Sequence, residues 1–129
     1  MDGVAVSCEN LKKIVISDNS SLSLNGSIAS YCDSLETVII GTGVSEFPIN
    51  TLYECSSLKY VIIRGNITKM DYSAFWNTPN NRKFLCYDAN TVALLKERYA
   101  DFVYLYSESE PTENGQFWGF SNNGEIIVY

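Results

Sequence analysis

The side chains in this sequence that could do chemistry are four cysteines, Cys8, Cys32, Cys55 and Cys86, and fifteen carboxylates, in a chain without histidine. The missing imidazole removes the commonest general base and the commonest metal ligand. A nucleophilic cysteine needs a partner base, and none of that kind is present. No Cys-x-x-Cys pair occurs, so a zinc site is not expected. Glu108 and Glu110 could imitate the carboxylate pair of a glycosidase, but they stand in the polar run Ser107-Glu108-Ser109-Glu110-Pro111, which implies no pocket. The reading is of a protein that is not an enzyme and carries no cofactor.

The cysteines carry information of another kind. Cys8, Cys32 and Cys55 recur at nearly equal intervals, and each opens the same phrase of Cys, two residues, Leu, two residues, Val or Ile, one residue, Ile. It reads Cys8, Leu11, Ile14, Ile16, then Cys32, Leu35, Val38, Ile40, then Cys55, Leu58, Val61, Ile63. A degenerate copy, Thr78, Asn81, Phe84, Cys86, follows at the same interval. Other columns keep step: Leu24, Phe47 and Met70; Val44 and Ile67; Ala5, Ala29, Leu52 and Phe75. Such self-similarity marks a repeat architecture.

One unit cannot bury its own apolar face. The Leu-x-x-Val-x-Ile segment alternates as a strand does, and stacking units about 4.8 Å apart lays equivalent side chains over one another. Each inward Leu or Ile then contributes about 1.5–3 kcal/mol of burial. The expected architecture is a curved parallel sheet with about four repeat strands over residues 4–87. The cysteines of one column point the same way, which disfavours bridging neighbours although their spacing permits it. They read as buried thiols acting as small hydrophobes. Cys86 falls at an inward strand position equivalent to Ile63.

Residues 88–129 break the period. Asp88-Ala89-Asn90-Thr91 offers helix-capping residues, and Val92, Leu95 and Tyr99 recur at helical spacing, which predicts a helix over 91–99. Residues 102–106 alternate as a strand and would add a fifth rung. Apolar segments around Asn122-Asn123-Gly124 predict a hairpin over 116–129. A solenoid needs its last rung covered, and a helix, a strand and a hairpin would cover it.

These phrases resemble the leucine-rich repeat family, and more narrowly its bacterial surface-antigen class, the BspA-like or Treponema pallidum type with a 23-residue unit. The likeness rests on "TLYECSSLKYVII" and "SAFWNTPNNRKFL" and on the tail "YSESEPTENGQFW", with Ala29 standing where the family usually has Phe. It implies a right-handed solenoid of the β-rich α/β kind, in a bacterial cell-surface or secreted protein whose work is adhesion or protein binding.

Residues alternating with the inward set should face out of the concave sheet. Val15, Ile39, Ile62 and Leu85 form one such column, flanked by Lys13, Thr37, Tyr60 and Lys83 on one side and by Arg64 and Tyr87 on the other. An aliphatic stripe facing solvent reads as a surface for a protein partner, although β-branched residues also simply favour strands. A second reading is a sugar platform built from Tyr104, Tyr106 and Trp118, against which stands packing of the same rings within the C-terminal segment. No N-terminal cap is visible, so the first strand should be an open edge. Either upstream repeats precede it or a second copy associates through it.

The formal net charge of −6 and the pI near 4.5 argue against a nucleic-acid partner, which needs clustered Lys and Arg. No apolar run is long enough to span a membrane, and no signal peptide is read in this chain. Apolar residues at 46% suffice for a core. Asn19, Asn25 and Asn66 open glycosylation sequons, which matter only in a eukaryotic secretory pathway.

Overall fold

Each coil begins with a tight turn that the repeat phrase encodes. In the computed structural model, which describes residues 3–18 and 27–129, the amide of Leu11 bonds the carbonyl of Cys8, Leu35 that of Cys32, and Leu58 that of Cys55. Cys-x-x-Leu is thus a turn closed by its own backbone, with both named side chains turned into the core. The degenerate copy closes the equivalent turn one residue later, from Arg82 to Pro79.

Out of each turn comes a strand of the principal sheet: β2 (Lys13–Ile16), β4 (Thr37–Ile40), β7 (Tyr60–Ile63) and β9 (Lys83–Cys86). They pair in parallel without slippage. Ile14, Val38, Val61 and Phe84 lie in one row, and Ile16, Ile40, Ile63 and Cys86 in the next. A slip of one residue would turn every one of these side chains to the opposite face, so the buried rows fix the register.

The coil has two further sides. One is a second parallel sheet of β1 (Gly3–Val6), β3 (Ser27–Ser30) and β6 (Leu52–Tyr53), which registers Ala5 on Ala29 and Ala29 on Leu52. The amides of Leu52 and Glu54 bond the carbonyls of Ala74 and Trp76, extending the ladder onto the next coil. The other is the short pair β5 (Glu46–Phe47) and β8 (Lys69–Met70), with Phe47 on Met70. Leu24, the expected third member of that column, lies outside the described residues.

Between the second sheet and the turn, each coil passes through a left-handed residue: Ser7, Tyr31, Glu54 and Asn77, with φ of 52°, 55°, 55° and 56°. None is glycine, so each coil carries a conformation that L-residues visit at a cost of about 1–2 kcal/mol. The first three of these corners are tied to the next coil, through Ser7 N–H to Ser30, Tyr31 N–H to Tyr53 and Glu54 N–H to Trp76 carbonyls. At the opposite end of the strand the coils pass closely. A Cβ on Gly41 would collide with the Ser17 carbonyl oxygen, so only glycine fits there.

After β9 the chain leaves the coil path. Helix α1 (Ala89–Tyr99) starts two residues earlier than the spacing predicts, because Asp88 caps it by accepting from the Asn90 amide at 2.7 Å. Thr91, fully buried, accepts from the Ile67 amide at 2.9 Å and ties the helix to the last complete coil. A 3-10 turn (Ala100–Phe102) leads into β10 (Val103–Tyr106), which pairs with β9 as the expected fifth rung. Then come β11 (Phe117–Phe120), parallel to β10, and β12 (Ile126–Val128), antiparallel to β11. The hairpin closes through Gly124, left-handed at φ 79°, whose amide bonds Ser121.

The hairpin therefore extends the principal sheet to seven strands, in the order β12-β11-β10-β9-β7-β4-β2, rather than lying across its end. This sheet is curled and mostly parallel, and β2 is its terminal strand among the described residues. Inside the coils one continuous core runs from Ile14 to Val103, with Phe75 and Phe84 packed edge to face at 4.9 Å.

Candidate functional site

The concave face of the principal sheet carries the predicted binding residues in the predicted columns. Lys13, Thr37, Tyr60 and Lys83 share one row, and Val15, Ile39, Ile62 and Leu85 the next. Their exposure is not uniform. Val15 is 60% exposed and Ile39 intermediate, whereas Ile62 and Leu85 are buried. The expectation of a solvent-facing stripe through all the rungs is therefore corrected.

The cause is the curl of the sheet. Trp118 on β11 registers with Tyr106, and its indole reaches over the concave face to donate from Nε1 to the Cys86 carbonyl at 3.0 Å. Around it Tyr87 and Tyr106 stack at 4.7 Å, and Tyr87, Tyr106 and Phe120 each meet the indole at 5.2 Å. This second core, with Ile62, Leu85 and Trp118 at its centre and Tyr60, Tyr104 and Ile126 packed against it, fills the C-terminal half of the concave face. Trp118 is fully buried. It offers no free ring to a sugar, which corrects the platform expected of Tyr104, Tyr106 and Trp118. Tyr104 and Tyr106 are half-buried parts of the same cluster.

The N-terminal half stays open. Lys13 and Val15 are exposed and Thr37 intermediate, while Ile39 and Tyr60, also intermediate, pack against the edge of the second core and border the open half. Along its margin Arg64 reaches across the intervening coil to Asp18, with Nε at 2.9 Å from Oδ1, and its guanidinium lies 5.6 Å from the centre of the Tyr87 ring. The Arg64 hydrogen bond holds the Asp18 carboxyl below its ordinary range, and the Thr42 amide, at 3.2 Å from Oδ1, adds to the effect.

Cys32, Cys55 and Cys86 are buried thiols at the expected inward positions, whereas Cys8, in the first coil, is only partly buried against the core. Cys32 donates to the Ser30 carbonyl at 3.4 Å and Cys55 to that of Tyr53 at 3.5 Å. Burial pushes the Cys55 thiol up to about 11 and the Cys86 thiol up to about 12, which leaves both protonated and unreactive at neutral pH. Among the described residues, no group of three or more Cys, Asp or Glu could hold a metal ion.

Two features escaped the sequence reading. Arg82, buried, lies between Phe84 and Tyr99, 5.2 and 4.5 Å from their ring centres, and donates from Nη1 to the Pro79 carbonyl. Burial lowers its pKa. The other is a row of rings on the second sheet, Tyr31, Tyr53 and Trp76. Tyr31 meets Tyr53 edge to face at 5.4 Å, and Tyr53 stacks on Trp76 at 5.5 Å. A signal existed for the second pair, since Tyr53 and Trp76 each stand two residues before the Cys55 and Thr78 column.

A strand returned to the same parallel sheet once in every repeat, with leucines at the turn and a helix at the C-terminal end, defines a solenoid-like leucine-rich repeat protein. The family model of the BspA type leucine rich repeat region (6 copies) matches residues 6–93, more than half of the chain, and the chain belongs to that family. No curated protein and no solved structure matches it.

Proposed function

We propose that this chain is a non-catalytic protein-binding or adhesion module of a cell-surface or secreted leucine-rich repeat protein, which takes its partner on the N-terminal half of the concave face. Leucine-rich repeat proteins generally mediate protein interactions, and BspA-type repeats occur typically in surface or secreted proteins. Among the described residues no helix is long and apolar enough to cross a membrane.

The observation that carries the reading is the contrast within one column. Ile62 and Leu85 are buried because an aromatic side chain of the same molecule lies over them, while Val15, on the same face, stays 60% exposed. An aromatic anchor from a partner would cover Val15 and Ile39 as Trp118 covers Ile62 and Leu85. Tyr and Trp are the residues most often used for such anchors. Lys13, Tyr60 and Arg64 would form the polar margin of that contact. Residues 88–129 then serve as a dedicated C-terminal cap, and the terminal strand β2 is where a second copy would add if the chain self-associates.

The test is a biosensor panel of purified extracellular matrix and cell-surface proteins, read with the parent chain and with Val15→Asp. Saturable binding that Val15→Asp weakens by at least about tenfold supports the reading. Binding unchanged by Val15→Asp, or none across the panel, counts against it.

A further inference from the structure

The molecule has a second exposed surface that the protein-binding reading does not use. It lies on the second sheet, where Tyr31, Tyr53 and Trp76 project from successive coils. Trp76 is 53% exposed and Tyr31 49%, high values for rings of this size. From the geometry of this row we infer that it is a binding site for a neutral oligosaccharide.

The rings are fixed in place before any ligand arrives. Tyr53 stacks on Trp76 with planes 15° apart, and Tyr31 closes on Tyr53 edge to face. The backbone under them is equally constrained, because Tyr31, Glu54 and Asn77 are left-handed corners and the amides of Tyr31 and Glu54 bond the Tyr53 and Trp76 carbonyls. A ligand that settles here orders few side chains, which lowers the entropic cost of binding.

The polar groups beside the rings decide the ligand class. Glu54 and Asn77 directly follow Tyr53 and Trp76 in the chain, and the Asn77 Nδ2 donates to Glu54 Oε1 at 2.6 Å. A carboxylate and an amide held side by side offer acceptors and a donor to neighbouring hydroxyls. Tyr53 covers one face of the Trp76 indole, and the uncovered side of that ring, 53% exposed overall, is what would attract the C–H face of a pyranose, whose hydrogens are weakly positive. Rings flanked by a hydroxyl-bonding pair are the two halves of sugar recognition. The Glu54 carboxylate and the net charge of −6 set the site against acidic sugars, so the ligand is neutral.

Tryptophan emission tests this directly, because the chain holds two tryptophans, Trp76 half exposed and Trp118 buried. Cellohexaose, chitohexaose and xylohexaose are titrated into the chain while fluorescence and heat are recorded. The expected result is a saturable blue shift of the exposed component with at least one of the three, while the Trp118 component stays fixed. Trp76→Ala should weaken that binding at least about tenfold, Glu54→Gln should weaken it less, and Val15→Asp should leave it unchanged. No saturable response with any of the three up to about 10 mM overturns the inference. So does an affinity untouched by Trp76→Ala, or one lost in Val15→Asp. A protein ligand lost in Trp76→Ala, without oligosaccharide binding, overturns it as well and makes the row a protein contact. Since Val15→Asp addresses only the concave face, failure of one surface is distinguishable from failure of the other.

Discussion

The Trp118 indole donates to the backbone carbonyl of Cys86 at 3.0 Å, joining two distant stretches of chain across the concave face. This bond lies where the regular repeats meet the C-terminal strands. It leaves the indole buried with its N–H satisfied, as a buried tryptophan requires.

Removing that ring should open the second core. Trp118→Ala is expected to cost about 3–5 kcal/mol, the usual loss for a buried aromatic. Trp118→Phe should cost less, about 1–3 kcal/mol, because it keeps apolar volume but leaves the Cys86 carbonyl without its donor. Urea midpoints of the three proteins check both, and equal midpoints would show that the ring is not part of the core.

The concave column should respond unevenly to charge. Leu85→Asp places an unpaired carboxylate in a fully buried position, and the protein should fail to fold or lose more than about 4 kcal/mol. Val15→Asp, at an exposed position of the same column, should change stability by no more than about 0.5 kcal/mol. Thermal melts of the pair decide the matter. A fold tolerant of Asp at 85 would restore the solvent-facing stripe that the columns first implied.

The thiols make stability fall on the alkaline side. Burial holds the Cys55 and Cys86 pKa values up to about 11 and about 12, against an ordinary 9.0. The folded state thus keeps protons that the unfolded chain releases. Their contribution is whole below pH 9.0 and is lost as pH rises through the folded values. Urea midpoints should decline between pH 9 and 11, and the decline should flatten in a Cys55→Ala, Cys86→Ala variant. At pH 8 a disulfide reagent should modify half-exposed Cys8 well before Cys32, Cys55 and Cys86.

The contact between Arg64 and Asp18 acts on the acid side. The Asp18 carboxyl is held below its ordinary 3.8, so its contribution is present above 3.8 and fades as pH falls through the lower folded value. The Thr42 amide, which bonds Asp18 Oδ1, reports it. Its proton resonance should titrate with a midpoint below 3.8, and that midpoint should move toward 3.8 in Arg64→Gln. A midpoint at 3.8 in the parent chain would mean that the bridge does not form in solution.

The left-handed corners should discriminate by backbone, not by side-chain chemistry. Glu54→Gly relieves a strained φ of 55°, whereas Glu54→Val puts a β-branched residue where that conformation is worst. Both lose the bond to Asn77, so the difference between them isolates the backbone. Val should be the less stable variant by about 1–2 kcal/mol in urea unfolding.

The sequence by itself determined the repeat, the parallel register and the inward rows. Cys-x-x-Leu-x-x-Val-x-Ile alternates at strand period, and identical units stacked one coil apart have only one alignment that buries every copy of Leu35 and Leu58. It also located the helix, the fifth rung and the hairpin, because caps, helical spacing and Asn-Gly are local signals. Only the tertiary structure decided how far the sheet curls, and so which members of the outward column are covered. Ile62 and Leu85 have the same alternation as Val15, and nothing local in them records that a tryptophan far downstream lies above them. It likewise decided the left-handed corners at Ser7, Tyr31, Glu54 and Asn77, where no glycine announces the turn. Short-range pattern fixes which way a side chain faces; what it meets there depends on how distant segments close over it.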